Sequence, residues 1–212
     1  MKNLELGPRG EPRRLLTKQH AVRHLIHAAV RMLMAGEDPF AMHLLIQSAD
    51  KLLIDIAKHT PSKQLQMEWT DVVKPEYKDA TLRVFRETYN FFKHADRDHD
   101  KELHVGDIAL SNVLQLAACI ANYCALFDEF TDHMRAGFVI ARLAYPAGFV
   151  EKTNRAAFEE AAGPVREFSP REFLSHLRST GFVDTMFPKL AAERADDLQD
   201  VALFFDEPFA KH

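Results

Sequence analysis

Cysteine, glycine and long apolar runs are all scarce in this chain, and each scarcity excludes something. The two cysteines, Cys119 and Cys124, lie five apart inside an apolar helical pattern. That spacing puts them on different faces, so a mutual disulfide is not expected. Only 8 glycines occur, and Val, Ile and Thr do not cluster in alternating runs, which excludes a mainly β chain. No apolar run is long enough to span a bilayer and no N-terminal apolar h-region is present. Secretion and membrane spanning are therefore not expected, and the cytoplasm is the expected location. A formal charge of −4 provides no bulk attraction to phosphate, so nucleic-acid binding would require a local basic patch or a site shared between subunits.

What is present is helical. Hydrophobic residues make up 47% of the chain, enough for a sizeable core, and Ala, Leu, Lys, Arg and Glu dominate the long segments. The expected fold class is all-α: a mobile tail over residues 1–16, a core bundle of about four long helices over 17–130, and a segment of shorter helices over 131–212 packed on that core.

The first helix is expected from Thr17, with Val22, Leu25, Ile26, Ala29, Val30 and Leu33 as its apolar face and Gly36 as its stop. Its other face carries His20, His24, His27 and Arg31. His20 and His24 have the i, i+4 spacing of metal ligands but no third ligand at a diagnostic offset, so a solvated or interfacial stripe is expected. Asp38 caps the second helix, Pro39 opens it, and Lys58 or His59 closes it. His43, Gln47 and Asp50 draw a polar line along that helix, which reads as a buried hydrogen-bond network or a subunit contact. The third helix starts at Pro75 and buries Leu82, Phe85, Tyr89 and Phe92. Arg83, Arg86, Asn90, Lys93, His94 and Arg97 crowd its remaining surface and make this the most basic region. The fourth follows Asp107 and is the most apolar. Shorter helices are expected over Thr131 to Ala144, Asn154 to Ala162, Ser169 to Ser179 and Leu190 to Phe204.

The end of the third helix, Tyr89-Asn90-Phe91-Phe92-Lys93-His94, resembles the helix-terminal Arg-Asn-x-Phe-Lys-His element of some HEPN proteins. With Asp38-Pro39-Phe40-Ala41-Met42-His43-Leu44-Leu45 it is also similar to a group of uncharacterised bacterial helical proteins. The resemblance covers at most residues 17–130. It implies a metal-independent, RNA- or nucleotide-associated module that pairs with a second copy. In the ribonucleases of that group an arginine and a histidine a few residues apart activate a ribose hydroxyl and stabilise the phosphate charge, a division of labour suited to those side chains. Carried onto this chain, it makes His94, Asn90, Lys93 and Arg86 the catalytic candidates and His43, Asp96 and Arg97 the ligand-binding candidates. Tyr89, however, stands where the arginine would be, and seven residues separate Arg86 from His94. The functional expectation is thus an RNA- or nucleotide-associated protein, as a degenerate metal-independent endoribonuclease. The alternative is a non-enzymatic helical protein that dimerises through its histidine-bearing face.

A second pattern overlaps the first. Asp96, Asp98, Asp100 and Asp107 fall where carboxylates stand in a calcium-binding helix-loop-helix, but Lys101 replaces its turn glycine and Asp107 its bidentate glutamate. A solvated charged loop is expected, with no metal and no cofactor.

Overall fold

Thr17 and Gly36 bracket the first helix, α1 (Lys18–Ala35). The Thr17 hydroxyl accepts from the His20 N–H, and Gly36, at φ 62°, returns its own N–H to Leu33. Asp38 accepts from the Phe40 N–H at 2.8 Å and starts α2 (Pro39–Lys58). The computed structural model describes residues 16–65, 75–94, 99–105, 108–144 and 185–199, with isolated positions at 172, 176 and 179–181. Four further helices follow among the described residues: α3 (Pro75–Lys93), α4 (Ile108–Phe127), α5 (Asp132–Ala144) and α6 (Leu190–Gln199). Among the described residues there is no strand, and the fold is all-α. The expected helix over 154–162, most of that over 169–179 and the end of that over 190–204 lie outside the described residues.

The core belongs to α1, α2, α4 and α5. Ile26, Val30, Ile46, Leu53, Leu116, Ile120, Tyr123 and Met134 are each at most 1% exposed and pack as one cluster. Both cysteines are free thiols, and complete burial pushes the Cys119 thiol well up. α5 comes so close to its neighbours because it offers small residues there. A Cβ on Gly137 would stand 2.7 Å from a Val30 methyl and 3.1 Å from the Ile120 Cδ1.

This corrects the expected order of layers. α3 was expected as one of four core helices, but it is attached at the edge through Phe85, Leu82 and Thr88, with Phe85 and Leu82 against Ala118 of α4. The physical reason is the narrowness of its apolar stripe: the side chains at 83, 86, 87, 90 and 93 are all exposed. α5, placed outside the core by the sequence reading, occupies the fourth position of the bundle.

Candidate functional site

The basic half of α3 faces outward. Arg83, Arg86, Asn90 and Lys93 are all exposed, and their steps of three, four and three put them on one stripe. The Lys93 ammonium lies 5.2 Å from the centre of the Tyr89 ring, a cation–π distance that steadies a long side chain. His94 follows the last helical residue, is half-buried, and gives its backbone N–H to the Asn90 carbonyl at 2.9 Å. Eight residues of helix rise, about 12 Å, separate Arg86 from His94, so one chain does not bring this pair together. Asp96 and Arg97 lie outside the described residues, as does most of the acidic loop pattern.

His43 is not available to a ligand. It is fully buried, with Nδ1 2.8 Å from the Asn112 Oδ1 and Nε2 3.3 Å from the Phe85 carbonyl. The Asn112 amide is oriented by its own Nδ2, which donates to the Pro39 carbonyl at 2.7 Å, so its Oδ1 faces Nδ1 of His43 as an acceptor. Burial pushes this imidazole below its ordinary pKa, against the two hydrogen bonds that favour its charged form. Gln47 continues the line by donating to Gln115 at 3.1 Å. With Asn112 and Phe85, His43 joins α2 to α4 and α3.

A second polar centre lies at the far side of the bundle. His27, expected on a solvated or interfacial stripe, is 1% exposed. Its Nδ1 lies 2.8 Å from the Asp197 Oδ2, and its Nε2 2.8 Å from the Thr131 hydroxyl oxygen. Its ring stacks on that of His133 with centroids 4.5 Å apart and planes 16° apart. His133 in turn bonds through Nδ1 to the Glu193 Oε2 at 2.8 Å. Arg31 reaches the Asp197 Oδ2 at 3.0 Å, while His24 and Arg23 stand 3.5 and 3.8 Å from its Oδ1. Burial works against the Asp197 charge, yet His27, Arg31 and His24 hold its carboxyl below the ordinary range. His133 is pushed down by burial, with His27 and Arg31 adding to the effect and Glu193 opposing it.

Glu193 also closes the start of α5, accepting from the backbone N–H groups of Asp132 at 2.7 Å and His133 at 3.0 Å. Asp132 answers by accepting from the Lys189 N–H at 2.9 Å, just before α6. Each helix start is thus capped by a carboxylate of the other.

No family model, curated protein or solved structure matches this chain. What the second centre can do must be judged from its geometry. His27, His133 and Glu193 have ligand atoms within 4.8 Å of one another, but they do not fit a metal ion. Stacked rings send their in-plane lone pairs along two nearly parallel sheets, so no point lies in front of both, and both His27 nitrogens are already engaged. Asp197, His27 and Thr131 also follow the carboxylate–imidazole–hydroxyl order of a nucleophile relay. Here Thr131 caps α5 by accepting from the Met134 N–H, and Glu193 takes the neighbouring amides that an oxyanion would need. The centre joins helices; it does not present a reactive group. Sequence reading missed it because Asp197 lies 170 positions from His27, and no local spacing signals such a pair.

Proposed function

We propose that this chain is an RNA-associated helical protein that takes the phosphate backbone of a single strand along the outward face of α3. The supporting observation is the exposed stripe of Arg83, Arg86, Asn90 and Lys93 on a chain whose formal charge is −4. Local concentration of cations, here flanked by Asp79 one turn before Arg83 and by Glu87, is what a polyanion requires of an acidic protein. The acidic Glu76 and Asp79 stand at the opposite end of the helix, so the strand meets its C-terminal half. Phe92, 43% exposed at that end and held by the Phe40 and Phe91 rings at 5.3 and 5.6 Å, adds exposed aromatic surface beside the stripe. The HEPN resemblance points to the same residues. Association without cleavage is the reading for a single chain, because Tyr89 occupies the arginine position and Arg86 does not meet His94.

Fluorescence anisotropy with a labelled single-stranded RNA tests this. Three phosphate contacts give a log–log salt slope of about −2, or a loss of roughly 20-fold between 50 and 200 mM salt. The R83A/R86A/K93A variant is expected to lose both the affinity and the slope. No binding at low salt, or equal binding by the triple variant, would overturn the reading, and RNA cleavage in EDTA that disappears in H94A would upgrade it to a ribonuclease. A second reading, dimerisation without RNA, is favoured by the exposure of Val84 (47%) and Phe92 (43%) on the same helix. Light scattering separates them: a dimer that is broken by V84D and binds no RNA supports the second.

A further inference from the structure

α6 meets the bundle through its acids more than through apolar surface. Among its described side chains Asp197 is the buried one, Leu190 and Glu193 are half-buried, and Ala191, Ala192, Arg194, Ala195 and Asp196 are exposed. Glu193 and Asp197, four apart, are neighbours on one helix face, and each carboxylate fills a place built for an anion. Glu193 receives the Asp132 and His133 amides at the start of α5, with the His133 Nδ1 at 2.8 Å. Backbone donors and the dipole at such a helix start hold phosphate groups in the same way. Asp197 is met by Arg31, His27, His24 and Arg23, all from α1. We propose that the surface of α1 and α5 beneath α6 is a binding site for a diphosphate group, and that Glu193 and Asp197 occupy its two seats as a competitor carried by the chain itself.

The α1 seat is larger than the carboxylate in it. Asp197 is 3% exposed, and its Oδ2 takes Arg31 at 3.0 Å and stands 2.8 Å from His27. Its Oδ1 is buried without a hydrogen bond, although His24 and Arg23 lie only 3.5 and 3.8 Å away. A carboxylate thus leaves part of this ring of donors unused, whereas a terminal phosphoryl group brings about two charges and three acceptor oxygens to it. Arg23 is shared with Glu129 of the α4–α5 connection at 3.4 Å, and Glu129 also has Gln19 and Tyr123 as donors, so Arg23 can turn towards an anion without stranding it. The other acid nearby, Asp132, is engaged by the Lys189 N–H and Arg135. Approach is open as well: the side chains of Arg23, His24 and Arg31 are 22%, 20% and 29% exposed. The two seats adjoin through the His27–His133 stack, whose rings are 4.5 Å apart and each turn Nδ1 to one carboxylate. Such closeness suits two phosphoryl groups joined through one oxygen, and not successive phosphates of a strand. Phe187, in the core just before α6, keeps the displaced helix tethered.

Calorimetric titration of the full chain with pyrophosphate, at fixed ionic strength and without divalent cations, tests the site. A seat covered by its own chain binds an outside ligand more weakly by the fraction of time it is open, so E193Q/D197N is expected to bind at least about tenfold more tightly than the wild-type chain. Orthophosphate, which fills one seat, is expected to bind that variant at least about tenfold more weakly than pyrophosphate. Adding R31Q should abolish binding, while adding R83A/R86A/K93A should leave it unchanged, which separates this site from the α3 stripe. Should E193Q/D197N fail to fold, hydrogen exchange of the wild-type chain decides: protection over residues 190–199 is expected to fall on adding pyrophosphate but not sodium chloride of equal ionic strength, while α1 and α4 keep theirs. Equal affinity in the wild type and E193Q/D197N, equal binding of orthophosphate, binding that survives R31Q or is lost with R83A/R86A/K93A, or α6 protection that responds alike to both salts would each overturn the proposal.

Discussion

At the scale of single residues, the buried imidazoles are the positions where sequence and structure part most clearly. His43 is held by Asn112, whose amide simultaneously serves His43 and the Pro39 carbonyl. Asn112→Ala would leave two buried groups without partners at a combined cost of about 2–4 kcal/mol, and the urea midpoint should fall accordingly. His43 itself adds a pH term. Its folded pKa is depressed, so the unfolded chain takes up a proton more readily, and stability rises with pH across the interval below 6.5. The urea midpoint at pH 5.5 is therefore expected below that at pH 7.5, with part of the difference removed in His43→Gln. An unchanged pH dependence in that variant would deny His43 a share.

At the scale of elements, the closeness of α5 to α1 and α4 rests on Gly137. An added methyl there meets Val30 at 2.7 Å, inside any real contact. Overpacking of this kind costs about 1–3 kcal/mol, while exchanging glycine for alanine in a helix returns roughly 1 kcal/mol. The steric cost wins, and Gly137→Ala is expected to lower the melting temperature by several degrees. The reciprocal caps between α5 and α6 give a second test. Glu193→Ala removes the acceptor of the Asp132 and His133 amides and should cost about 1–2 kcal/mol, read as a lower melting temperature. Glu193→Gln, which keeps an acceptor oxygen, should cost less.

At the scale of the whole molecule, stability is unevenly distributed. α1, α2, α4 and α5 share one apolar core, whereas among the described residues α3 is attached by Phe85, Leu82, the His43 contact and the Phe92 ring against Phe40. Local opening should follow that division. Hydrogen exchange over 75–94 is expected to be faster than over 39–58. Phe85→Ala, which removes the main anchor at a cost of about 3–5 kcal/mol, should accelerate the former far more than the latter. Proportionate acceleration of both would mean that α3 is part of the core unit. The peripheral place of α3 also suits the proposed role, since a helix bound on one narrow side leaves the other free for a strand.

The local features were legible from the chain because they are decided within a turn or two. Thr17, Gly36 and Asp38 set helix ends through hydrogen bonds to residues two or three away, and Pro39 through its fixed φ. The spacing of Val22, Ile26, Ala29, Val30 and Leu33 gives the buried face of α1 without reference to any partner. The same reasoning put Arg83, Arg86, Asn90 and Lys93 on the surface of α3. Tertiary structure alone decided which helices share the core, because a narrow apolar stripe and a small-residue face differ only in how closely a neighbour can approach. It alone decided the fate of the histidines as well. A histidine opposite an apolar stripe looks exposed in its own helix, and His27 is buried because a carboxylate 170 positions away satisfies a ring that no local residue could.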